Sequence, residues 1–280
     1  MTDATQAIQP NGPYFKTALT LWVLALCGAI LILPYVAALE HIVLAAGAAR
    51  MHLRVWELLA LSVVQSSVLL AIAVFAGLWA SRKLGLRTPI ITAVLTRTAA
   101  PKGWRWSLLL ALAIGIVMAL AVEALDYMVF APIPSVAELI RAAGTGSAKP
   151  NAWQSLLATF YGAFDEEILV RLGLMSLLAL TFRTLLRILG RNREGALPSG
   201  VFWAANIIAA VLFGLGHLPS TAALAPLSSA LVVRAILLNG TLGLVFGTLY
   251  RRYRLEWAMV SHLAVGLKVY DATLHGYPRS

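Results

Sequence analysis

Long apolar runs separated by short charged clusters dominate the chain. Uncharged runs at Thr17–Leu39 and Leu58–Ser81 exceed the ~20 residues an α-helix needs to cross the hydrocarbon core of a bilayer, and each predicts a spanning helix. Trp106–Val122 predicts a third, continuing past Glu123 and Asp126 to Pro132. The uncharged stretch Gly195–Val233 holds a fifth span and the start of a sixth that reaches Tyr250. Two further segments are apolar but interrupted. The fourth, roughly Ala152–Phe182, carries Asp165, Glu166, Glu167 and Arg171, and the seventh, roughly Trp257–Leu274, carries His262, Lys268 and Asp271. The predicted fold is all-α, a polytopic helical transmembrane bundle of about seven spans.

Composition agrees with that pattern. Of 280 residues 60% are hydrophobic and 12% charged, and mean hydropathy is +0.82, above what a water-soluble domain shows. The net charge of +10 raises nucleic acid as a partner. The basic residues, however, fall in short clusters between apolar runs rather than on one face, so the partners expected are the lipid bilayer and no nucleic acid. Fourteen Lys and Arg fall at Lys16 and in 82–105, 183–193 and 251–254, against five on the alternate side. The positive-inside rule then places the N-terminus in the cytoplasm and, with seven spans, the C-terminus outside. The run after Lys16 is longer than the apolar core of a signal peptide, which predicts an uncleaved first helix. A single cysteine, Cys27, excludes a disulfide framework and a Cys-rich metal site. No period of 20–50 residues repeats and no polar stretch is long enough for a soluble domain. The division expected is a cytoplasmic segment at 1–16, a three-span region at 17–149, a four-span catalytic core at 150–274 and a tail at 275–280.

The candidate chemistry lies in the interrupted segments. An ionisable side chain at the bilayer centre costs at least ~2.5 kcal/mol, yet three carboxylates and an arginine fall within Asp165–Arg171. On an α-helix Glu167 and Arg171 stand at i,i+4 with Glu first, the favourable order for an ion pair. Glu166 turns away from that pair and is free to face a cavity as a base. An interhelical salt bridge without chemistry is the plainer reading of the same residues. His217 and His262, each in an apolar segment, tilt the balance toward a functional site. His41, His52 and His275 lie near span ends and are assigned no role. Gly240, Gly243 and Gly247 on the sixth span have the small-residue spacing of close helix packing.

These residues resemble the CPBP intramembrane endopeptidases, which include type II CAAX prenyl proteases and bacterial proteins linked to bacteriocin processing and immunity. Glu-Glu-x-x-x-Arg corresponds to Glu166, Glu167 and Arg171, Phe-x-x-x-His to Phe213 and His217, and the third motif begins at His262. The family usually has Asn or Asp four residues after that histidine; this chain has Gly266. The resemblance spans about residues 150–270. It implies a water activated by Glu166, positioned with help from His217, attacking a peptide carbonyl whose oxyanion His262 steadies. Such hydrolysis needs a base near the water and donors aimed at the developing charge. Gly266 removes one donor, and Asn206 on the fifth span and Asn239 on the sixth are candidate substitutes.

No His-Glu-x-x-His occurs. Glu166, His217 and His262 are nonetheless side-chain types that hold a catalytic zinc, so zinc stays open as a cofactor beside the favoured metal-free site. Counted at about 1.5 Å per residue, His262 and Glu166 lie at similar depth while His217 lies too far across, unless the fifth helix starts late. The reading is an intramembrane endopeptidase of a bacterial inner membrane, acting on a membrane protein or peptide precursor that need not be prenylated. Its rivals are a non-catalytic scaffold or immunity-type protein, for which Gly266 speaks, and a proton-coupled transporter, which predicts broken helices in both halves.

Overall fold

The computed structural model describes residues 13–144, 150–191 and 197–275, with side chains as far as Lys268. Most of the expected segment 1–16 and tail 275–280, together with Lys149, Arg193 and the side chain of Asp271, lie outside the described residues. Every regular element among the described residues is helical.

The first span is two helices, α1 (Tyr14–Leu31) and α2 (Leu33–Leu39), separated at Ile32. Pro34 explains the break, since its missing N–H and its ring prevent α1 from running on. Then follow α3 (His41–Arg50), α4 (Val55–Lys83) and the short α5 (Pro89–Thr96). The third span, α6 (Trp104–Leu125), widens at its end into a π-helical turn, π1 (Asp126–Phe130), before α7 (Pro134–Gly144). The fourth opens as α8 (Ala152–Tyr161), whose Asn151 and Gln154 form a capping box. It continues through a π-helical stretch, π2 (Gly162–Met175), into α9 (Ser176–Ile188). The rest are α10 (Ser199–Gly216), α11 (Leu218–Leu224), α12 (Ser229–Tyr253) and α13 (Leu255–His275).

Six helical segments are long and apolar enough to cross a membrane, Tyr14–Leu39, Val55–Lys83, Trp104–Phe130, Ala152–Ile188, Ser199–Leu224 and Ser229–Tyr253, so the chain is an integral, multi-pass membrane protein. The expected seventh, α13, is one continuous helix of 21 residues that is not among those six. Two expectations change. Within the uncharged stretch Gly195–Val233 the expected fifth span ends in a further short helix, α11, begun by Pro219 in its first turn. The segment carrying the carboxylates is wound with i→i+5 hydrogen bonds rather than as an α-helix.

The spans differ in how deeply they sit. About a fifth of the most apolar window is buried in each of the first three, against 39–44% in the next three. The early spans therefore turn apolar faces such as Val64, Ile72 and Val117 outward, as lipid contact requires, while the later ones enclose the polar residues. Close helix approach is built from small residues. A Cβ at Gly214 of α10 would stand 2.7 Å from the backbone of Ile236 on α12, and one at Gly243 of α12 would stand 3.1 Å from Ala210 of α10. The expectation that Gly240, Gly243 and Gly247 serve packing holds, since all three face α10.

Candidate functional site

π2 turns its three consecutive carboxylates in different directions. Asp165 is fully buried against Gly28 of α1, and neither of its oxygens has a hydrogen-bond partner. Glu167 is also fully buried, and its Oε1 lies 3.3 Å from Nη1 of Arg171, which is 1% exposed. Glu166 keeps a fifth of its side chain exposed and is held by neither. The divergence expected between the Glu167–Arg171 pair and Glu166 is therefore present, although the helix is π-wound.

Arg171 is supported from three sides. Its Nη2 donates to the carbonyl of Gly243 on α12 at 3.2 Å, and its guanidinium lies over Phe213 of α10 at 4.7 Å and Phe246 of α12 at 5.4 Å. Aromatic faces stabilise a buried cation through their quadrupole. Phe213, the aromatic of the second motif, thus joins Arg171 to His217, whose ring meets it edge-on at 4.9 Å.

The two histidines reach Glu166 from opposite sides. His217 caps the end of α10, and its Nδ1 is 2.8 Å from the carbonyl oxygen of Phe213. A carbonyl only accepts, so Nδ1 carries the hydrogen and, in the neutral ring, Nε2 presents a lone pair. That Nε2 is 4.0 Å from Oε1 of Glu166. His262, on α13, donates from Nδ1 to Oε1 of Glu167 at 2.8 Å, and its Nε2 lies 3.5 Å from Oε2 of Glu166. Its ring stacks on Phe246 at 4.6 Å.

This overturns the depth count that set His217 too far across. Counting residues assumed α-helical rise and a common starting level for every span. Neither holds, because π2 is not α-helical and α10 starts only at Ser199, later than the uncharged stretch that begins at Gly195. The chain also places Gly162 where a Cβ would stand 2.9 Å from Nε2 of His262, so the absence of a side chain there makes room for the ring.

Other sequence candidates separate. Asn239 lines the same cavity as His217 and His262, with Nδ2 donating to Ala235 of its own helix. Asn206 does not reach it. That side chain is 1% exposed, donates to the carbonyl of Leu244 at 3.1 Å and packs on Gly247. Phe246, Gly162 and Gly243 were not singled out as site residues. Phe246 stands one turn beyond Gly243, and Gly162 one turn before Glu166, so helical spacing from a motif residue was the available signal. Among the described residues no group of three His, Cys, Asp or Glu is arranged to hold a metal ion.

A cavity of about 1100 Å³ opens onto this cluster. Its walls are mainly apolar, including Tyr35, Val122, Leu139 and Leu238, with Asp126 and Arg234 among the charged residues at its edge. A chamber of that size has room for a drug-sized ligand or a short chain segment. Residues 148–267 match the family model described as type II CAAX prenyl endopeptidase Rce1-like, the stretch that holds every residue of the cluster. No curated protein and no solved structure matches the chain.

Proposed function

We propose, on the premise that this chain belongs to the CPBP family of CAAX-processing intramembrane proteases, that it hydrolyses a peptide bond with a water activated by Glu166. One observation carries this reading. Nε2 of His217 and Nε2 of His262 converge on the two oxygens of Glu166, at 4.0 and 3.5 Å, while the neighbouring Glu167 is committed to Arg171 and His262. Glu166 and, in the neutral ring, Nε2 of His217 both accept hydrogen bonds, and such a pair is stabilised by a molecule that brings hydrogens. A water between them donates one hydrogen to Glu166 and one to Nε2 of His217.

The steps follow from those roles. Glu166 takes a proton as the water oxygen bonds to the carbonyl carbon, and the carbonyl electron pair moves to its oxygen. His262 in its protonated form, steadied by Glu167 as a carboxylate steadies a catalytic imidazolium, donates from Nε2 to that oxyanion. Glu166 then delivers its proton to the amine as the C–N bond breaks. The substrate is a membrane protein or peptide precursor. The N-terminus lies in the cytoplasm on the grounds of charge distribution given above, and a short, Arg-rich chain suits a bacterial inner membrane.

The test compares membranes from cells making wild-type protein or Glu166→Gln at equal abundance, by mass spectrometry of new peptide termini. Termini that need Glu166 are expected, with a loss of about 10²-fold or more in their formation in the variant. Identical profiles from two equally folded proteins refute proteolysis and leave a scaffold.

A further inference from the structure

Gly266 occupies the position where the family motif places a polar side chain, and the structure shows what faces it. α8 and α13 run antiparallel here, with Gly162 opposite His262 and Thr159 opposite Gly266. A Cβ at Gly162 would meet Nε2 of His262 at 2.9 Å, and one at Gly266 would meet Cβ and Cγ2 of Thr159 at 2.7 and 2.9 Å. The space that a side chain at 266 would fill therefore holds Thr159.

Thr159 and Gly162 lie one turn apart where α8 passes into π2, and both face α13. Thr159, Gly162, His262 and Gly266 all line the cavity. Thr159 is 7% exposed, and its hydroxyl donates to the carbonyl of Leu156 in the preceding turn at 2.7 Å. That contact is local and replaceable, because rotation about one bond frees the hydroxyl and a backbone carbonyl in a helix keeps its own N–H donor. The other sequence candidate in the cavity, Asn239, donates its Nδ2 to the carbonyl of Ala235 on its own helix.

We propose that Thr159 supplies the hydrogen-bond donor missing at Gly266, its hydroxyl donating to the substrate oxyanion beside Nε2 of His262. The loss at 266 and the polar side chain at 159 are then one exchange made across the α8–α13 contact. The inference rests on the hydrolytic reading above and names one more residue of that site.

Thr159→Val and Thr159→Ser separate a donor from a packing residue. Valine keeps the branched shape against Gly266 and removes the hydroxyl; serine keeps the hydroxyl and removes the methyl. The readout is the rate at which Glu166-dependent termini appear in host membranes after induction, with thermal stability of each purified variant as the control for folding. Thr159→Val is expected to cut the same bonds about 10²-fold more slowly, and Thr159→Ser to stay within a few-fold of wild type. The reverse order, with valine active and serine impaired, makes Thr159 a packing residue and overturns the proposal while the hydrolytic reading stands. Absence of any Glu166-dependent terminus from wild-type protein overturns both. If Thr159→Val does not accumulate, Thr159→Gly, which clears the Cβ facing position 266, with and without Gly266→Asn decides. Faster cleavage by the double variant supports the exchange, and no recovery overturns it.

Discussion

Two buried ion clusters, both on π-wound segments, are completed differently. On π1, Asp126 receives a bidentate grip from Arg234 of α12, with nitrogen-to-oxygen distances of 2.7 and 2.6 Å. On π2, Glu167 meets Arg171 through one contact of 3.3 Å, shares that oxygen with His262, and leaves Oε2 without a hydrogen-bond partner. A fork-to-carboxylate pair satisfies the geometry of both partners, so the first cluster ties the third span to the sixth. The second divides its capacity among a cation, a histidine and two aromatic faces. Beside it stands a third party, Glu166, within 3.5 and 4.0 Å of the two histidines, and under the proposed hydrolysis that incompleteness is what distinguishes it. π-helical turns recur at functional sites, but these two differ in what their side chains leave unused.

The largest effect expected is from Glu167→Ala, which strips a 1%-exposed guanidinium of its carboxylate and costs about 3–5 kcal/mol, seen as a large drop in thermal midpoint in detergent. It also frees His262, so cleavage should vanish even in protein that folds. Restoring stability with an apolar pair, Glu167→Leu with Arg171→Leu, should leave cleavage absent; recovery of cleavage would erase the distinction between the clusters. Next is Gly162→Ala, whose methyl displaces His262. A misplacement of about 1 Å lowers rate ~10²-fold, so cleavage should fall far more than the thermal midpoint. Smallest is the change at the closed cluster. Arg234→Leu alone should cost about 2 kcal/mol, discounted because Arg234 is partly exposed, and adding Asp126→Leu should return stability to within about 1 kcal/mol of wild type. Failure of that rescue would mean that Asp126 or Arg234 does more than lock helices.

Much of this was legible along the chain. Spanning helices follow from long apolar runs, because lipid leaves no other way to satisfy the backbone, and observed bounds such as Val55–Lys83 differ from the expected ones by a few residues. Glu166, Glu167, Arg171, His217 and His262 were identifiable because ionisable groups in apolar segments are rare and expensive. Even the different surroundings of Glu166 and Glu167, one partly exposed and the other paired with Arg171, followed from local spacing. Other features depend on which helix faces which, a relation among residues far apart in the chain. No local pattern announces the winding of π2, the Phe246 ring over His262, or the contact of Thr159 with Gly266. Residue counting misplaced His217, and Asn206 and Asn239 were equal candidates until packing sent one to Gly247 and the other to the cavity. The apolar pattern states which residues enter the membrane and which of those resist being there. The interlocking of small residues between helices sets their registers, and with them which polar groups meet.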